Sequence, residues 1–139
     1  MKEDVLILLV EDDRVDALTV KRAFKELKVT NPVAVTGNGE EALEYLRNKD
    51  NKQPGIILLD LNMPKMNGLE FLDAAKKDNE LKSIPVIVLT TSKEEQDKME
   101  SYSHSVAGYI IKPVDYKKFV EAMRTVRLYW TLNELPDQV

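Results

Sequence analysis

Five short and mostly apolar runs punctuate the chain: Val5-Leu6-Ile7-Leu8-Leu9-Val10, Val33-Ala34-Val35-Thr36, Ile56-Ile57-Leu58-Leu59-Asp60, Pro85-Val86-Ile87-Val88-Leu89 and Val106-Ala107-Gly108-Tyr109-Ile110-Ile111. Runs that stay apolar without alternating predict strands covered on both faces. Between them the apolar positions step by three or four, which is the spacing of one helix face. Ala17, Val20, Phe24 and Leu27 mark a helix over Arg14 to Lys28, with Asp13 as its N-cap and Asn31-Pro32 closing it. Ala42, Leu43 and Leu46 mark a second helix over Glu40 to Arg47, and Leu69, Leu72 and Ala75 a third that closes near Asn79. Lys93 to Tyr102 predicts a charged helix with a thin apolar face. A long last helix starts near Asp115 and carries Phe119, Met123, Val126 and Trp130. Asn48 to Gly55 is polar and ends in Pro54-Gly55, so it predicts a loop feeding the third strand.

Five strands alternating with five helices predict an α/β fold, a doubly wound five-stranded parallel sheet with right-handed crossovers. In such sheets chemistry gathers at the strands' C-terminal ends. Those ends carry Glu11-Asp12-Asp13, Asp60, Thr90 and Lys112. Beside Asp60, Met63-Pro64 and Asn67-Gly68 break any continuing strand or helix and impose a shaped loop. Converging carboxylates repel one another, so the cluster calls for a cation, and an all-oxygen donor set favours a hard one such as Mg2+. Magnesium takes phosphate oxygens as further ligands, while the Thr90 hydroxyl and the Lys112 ammonium suit phosphate as well. The pattern therefore predicts phosphoryl transfer onto a carboxylate, with Asp60 the nucleophile and an acyl phosphate the product. A new dianion at Asp60 would draw Thr90 inward and open space for Tyr109, which is a switch.

Composition narrows the field further. The 139 residues fit one domain, 1–139, with 128–139 read as a C-terminal extension of the last helix and tail. Lys and Arg number 20 against 24 for Asp and Glu, a net charge of −4, which disfavours a nucleic-acid surface. There is no Cys and one His, His104, so thiolate chemistry and Cys- or His-rich metal sites are excluded. The N-terminus is too charged for a signal peptide and no apolar stretch approaches the ~18 residues of a membrane span, so a cytoplasmic location is expected. Tyr129 and Leu132 fall off the apolar stripe of the last helix. With Trp130 and Leu135 they predict a second apolar surface suited to a homodimer or a partner.

From Val5 to about Met123 the chain resembles the receiver domain of two-component response regulators, a flavodoxin-like fold with strand order 2-1-3-4-5. The segment Asp60-Leu61-Asn62-Met63-Pro64-Lys65-Met66-Asn67-Gly68 fits the family's D-x-x-M-P-x-M-x-G form. Glu11 and Asp12 resemble its acidic pair, Thr90 its hydroxyl position and Lys112-Pro113 its lysine and following cis proline. The resemblance implies Mg2+ held by the carboxylates of Asp12 and Asp60, by the backbone carbonyl of Asn62, and by Glu11 through a water, with Mn2+ or Ca2+ able to substitute. It implies that Asn62 and Ser92 tune autodephosphorylation and that Thr91, where a smaller residue is frequent, narrows access to the phosphoryl group. It also implies a sensor histidine kinase as donor, of phytochrome type by a further likeness in the Asn48 to Gly55 loop and the tail. With no effector domain following, output is expected through protein contacts, from a phosphoacceptor that does not turn over substrate. Two other classes stay open on the fold alone. A phosphatase working through an aspartyl phosphate would want an acid where Asn62 stands, and a flavin carrier would want a hydroxyl and glycine loop where Glu11-Asp12-Asp13 stands.

Overall fold

Consecutive apolar residues in the strands are explained by a sheet with a separate core on each face. The computed structural model describes residues 5–60, 68–90, 106–112 and 115–133, the side chains of Thr90, Ile111 and 129–133 excepted. Its elements follow in the order β1 (Leu6–Val10), α1 (Arg14–Glu26), β2 (Val33–Thr36), α2 (Gly39–Arg47), β3 (Pro54–Asp60), α3 (Gly68–Lys77), β4 (Val86–Thr90), β5 (Gly108–Ile111) and α4 (Tyr116–Asn133). All strand pairs are parallel, in the order β2-β1-β3-β4-β5. Ile7, Leu9, Ile56, Leu58, Ile87 and Leu89 turn to α1 and α4, where Phe24, Met123 and Val126 meet them. Their neighbours Leu8, Val10, Ile57, Leu59, Val86 and Val88 turn the other way, to Leu43 and Leu46 of α2 and Phe71 and Leu72 of α3. Alternation across the strand with both faces buried leaves no polar position in the central strands until they end. The predicted stripe of the last helix holds at Phe119, Met123 and Val126, all buried.

Of the boundaries that differ from the pattern, two have a local reason. Pro54 and Gly55 belong to β3, because a strand's first residue needs no donor N–H. The register then slips: Leu6 pairs with Pro54 but Ile7 with Ile56, so Gly55 is the extra residue of a bulge. At the other boundary, α1 ends at Glu26 in a Schellman turn. Lys28 N–H donates to the Lys25 carbonyl at 3.1 Å and Val29 N–H to the Phe24 carbonyl at 2.8 Å. Lys28 adopts φ 60°, a left-handed conformation that glycine takes without a Cβ clash. Lys28→Gly is therefore expected to stabilise the fold by about 0.5–1 kcal/mol, the relieved strain outweighing the lost backbone entropy. Chemical denaturation of the two proteins measures it, and an equal or lower midpoint for the glycine variant contradicts it.

The helix expected over Lys93 to Tyr102 lies outside the described residues, which contain four helices. Helices α1 and α4 are tied at two points. Arg127 Nη1 donates to the Leu27 carbonyl at 2.7 Å, and the Arg22 guanidinium sits 4.2 Å from the centre of the Tyr116 ring.

Candidate functional site

The sheet order reverses direction between β1 and β3, and the residues that end these two strands face each other there. Glu11 continues the β1 ladder by one bond, its N–H donating to the Thr36 carbonyl at 2.9 Å. Its side chain is fully buried, whereas Asp12 next to it is exposed. Asp60 closes β3 on the same side as Ile56 and Leu58, the α1/α4 side, and is buried with 7% exposure. One carboxylate oxygen each from Glu11, Asp12 and Asp60 lies within 4.8 Å of the others. Asp13 points away from this cluster and caps α1 instead, its carboxylate accepting from the N–H groups of Val15 at 2.8 Å and Asp16 at 3.1 Å.

Lys112 follows β5, and its side chain extends over the ends of the intervening strands. Its ammonium stands 2.6 Å from Glu11 Oε1, 3.5 Å from Asp16 Oδ2 and 3.9 Å from Asp60 Oδ1. Burial pushes the Glu11 carboxyl up to about 8, helped by its hydrogen bond to Asp60 and the Asp60 charge and opposed by Lys112. For Lys112 burial works against the ammonium, but the Glu11 hydrogen bond and the charges of Asp60, Glu11 and Asp16 outweigh it and hold the group above its ordinary value. One ammonium among four acids leaves the site short of positive charge. An all-oxygen donor set of this kind, two carboxylates buried and the Asp12 one open to solvent, fits a hard divalent cation.

Of the residues expected from the sequence, Glu11, Asp12, Asp60 and Lys112 are thus brought together. Thr90 is the last residue of β4, its backbone registered with Ile111. Tyr109, in register with Val88, is half-buried on the α2/α3 side, the face opposite to Asp60. A Tyr109 switch therefore has to act across the sheet, around the end of β4. Asn62, Thr91, Ser92, Pro113 and Leu135 lie outside the described residues, as do the side chains of Thr90, Tyr129, Trp130 and Leu132. Asp16 is the residue that the sequence pattern did not single out. Its signal was positional, an acid one turn into the helix that follows the strand-end acids.

This fold and this cluster belong together in one family. The chain is a member of the response regulator receiver domain family, whose profile matches residues 7–124. It is similar to the probable methanogenesis regulatory protein FilR2 of Methanothrix harundinacea, 36% identical over 132 residues, which cover 93% of this chain and 85% of that protein. Among solved structures it is similar to the phosphorylated cyanobacterial phytochrome response regulator RcpA, with a TM-score of 0.82 and 36% identity, covering 92% of this chain and 94% of the other. The Mn2+-bound form of Rcp1, a response regulator of Synechocystis, matches with a TM-score of 0.80 and 34% identity, covering 91% and 94%. The protein is accordingly a receiver-domain response regulator of two-component signalling, with phytochrome response regulators among its relatives.

Proposed function

We propose that Asp60 accepts a phosphoryl group from the phosphohistidine of a sensor histidine kinase and that the resulting acyl phosphate switches protein contacts. The observation that carries this reading is the buried Asp60 carboxylate at the end of β3, clustered with Glu11 and Asp12 and 3.9 Å from the Lys112 ammonium. An Asp60 oxygen forms the new P–O bond as the P–N bond breaks, and the imidazole nitrogen keeps the electron pair and takes a proton from water. Lys112, released from part of its carboxylate contacts, meets the charge on the phosphoryl oxygens. The Thr90 hydroxyl is assigned the same role from the end of β4, and Tyr109 the readout.

Asp12 and Asp60 would hold Mg2+ through their carboxylates, Glu11 through a water and Asn62 through its backbone carbonyl, and Mn2+ and Ca2+ are expected to substitute. When bound, the cation supplies neutralisation of the acid cluster and of phosphoryl charge. That the similar Rcp1 has a Mn2+-bound form supports a divalent cation as the ligand. The phytochrome response regulators among the relatives support a phytochrome-type kinase as donor. The chain is read as a phosphoacceptor and not as a turnover enzyme. A cytoplasmic place of action fits, since among the described residues no helix is long and apolar enough to cross a membrane. Intact mass after incubation with acetyl phosphate and Mg2+ tests the acceptor.

Output through a homodimer built on the last helix and tail is part of the same proposal. It is supported by Leu128, 59% exposed near the end of α4 and followed in the sequence by Tyr129, Trp130 and Leu132. Sedimentation of the wild type as a dimer and of Tyr129→Ala/Leu132→Ala as a monomer is expected. Identical monomer profiles for both would remove the dimer.

A further inference from the structure

We infer that Asp16 is a positioning residue for Lys112, holding its ammonium toward α1 and off Asp60 until a phosphoryl group arrives. The inference rests on Asp60 being the phosphoacceptor. Asp16 is the third residue of α1 after the Asp13 cap, a position from which an acid usually reaches back to the cap's own N–H. Here that N–H donates to Glu11 Oε2 at 3.4 Å, and the Asp16 carboxylate reaches Lys112 at 3.5 Å. Lysine has three donors, and among the described residues three acids of the site lie within 4.0 Å of its ammonium. Glu11 takes the ammonium at 2.6 Å and Asp16 at 3.5 Å, which leaves Asp60 at 3.9 Å, beyond hydrogen-bond reach of it.

That distance matters to the reaction. Asp60 already shares a hydrogen bond with Glu11, and an ammonium closing on it would commit a further lone pair and make it a poorer nucleophile for in-line attack on phosphorus. With Asp16 neutral, Asp60 and Glu11 are the acids left within 4.0 Å of the ammonium among the described residues, and Lys112 closes on Asp60. Since the Asp16 side chain is 48% exposed, its contact adds little to stability. Its effect is on where the lysine sits, and a kinetic readout is the one that reports it.

The test is the rate of phosphate-sized mass gain across a range of acetyl phosphate concentrations at saturating Mg2+. The Asp60 oxygen forms its bond to phosphorus as the bond to the acetate oxygen breaks, and acetate leaves with the electron pair. Asp16→Asn should lower the saturating rate by about three- to tenfold. The half-saturating donor concentration should not rise, because a negative charge near an anionic donor has been removed. Asp16→Glu should recover most of the rate. In a Lys112→Ala background Asp16→Asn should cost nothing further. An unchanged or faster rate for Asp16→Asn overturns the inference, and so does an equal loss in the Lys112→Ala background. In parallel, the Lys112 side-chain NMR signals should move in unphosphorylated Asp16→Asn, and signals that stay in place overturn the contact whatever the kinetics. A wild type that gains no phosphate overturns the acceptor reading, and Asp16's part in the reaction falls with it.

Discussion

The wild type is expected to gain a phosphate-sized mass with acetyl phosphate and Mg2+, and Asp60→Asn to abolish that gain. The amide keeps the size and the place at the end of β3 but has no anionic oxygen to attack phosphorus. It also removes one of the three carboxylates that lie within 4.8 Å of one another, so the Mg2+-dependent rise in stability of the wild type should shrink in the variant. EDTA should block the wild type as completely as the substitution does, because Lys112 is then the one cation among the described residues of the site and it is shared with Glu11 and Asp16. Peptide mapping of the phosphorylated wild type should place the group on Asp60. A mass gain that persists in Asp60→Asn would assign the acceptor to a different residue.

The second large effect is on pH. Glu11 is raised from 4.5 to about 8 in the folded chain, chiefly by burial, so between these values the folded state keeps a proton that the unfolded state has released. The stabilisation from that proton is complete below 4.5, is lost as pH rises through the interval and is gone above about 8. Metal-free protein should thus melt at progressively lower temperature from pH 5 to pH 8. Mg2+ favours the ionised cluster, and its apparent affinity should climb with pH over the same interval, by up to about tenfold per unit. Glu11→Gln has no proton to lose, so both slopes should flatten in it. Thermal melts in EDTA and in Mg2+, taken across that range, measure the difference. A wild type whose slopes match those of Glu11→Gln would remove Glu11 as the titrating group.

What the sequence made legible follows from where polarity is forbidden. Strands buried on both faces admit no charge, so Asp60 at the end of Ile56 to Leu59, Glu11 after Val10 and Lys112 after Ile111 stand out at once. Helix α1 offers no such contrast. Half its surface faces water, and Asp16 looks there like any solvated acid, although it meets a lysine 96 positions further on. The helix end was hidden for a related reason: the usual mark of a Schellman turn is glycine, and Lys28 fills that place. Pro54-Gly55 carries the composition of a turn yet opens a strand, because its neighbours on β1 dictate the pairing.

Two contacts join distant parts of the chain: Lys112 to Glu11 across 101 positions and Arg127 to Leu27 across 100. Each closes a loop that takes in most of the 139-residue chain, and the entropy of that closure has to be met before the contact repays it. Synthesis from the N-terminus brings out the acids of β1 and β3 long before the lysine that serves them. A chain still on the ribosome with residues up to β4 exposed carries Asp60 but no Lys112 and no last helix to hold α1. The competence to take phosphate proposed for Asp60 would therefore be acquired late in folding, once β5 has brought Lys112 to the acids, and a half-made chain would lack the complete site.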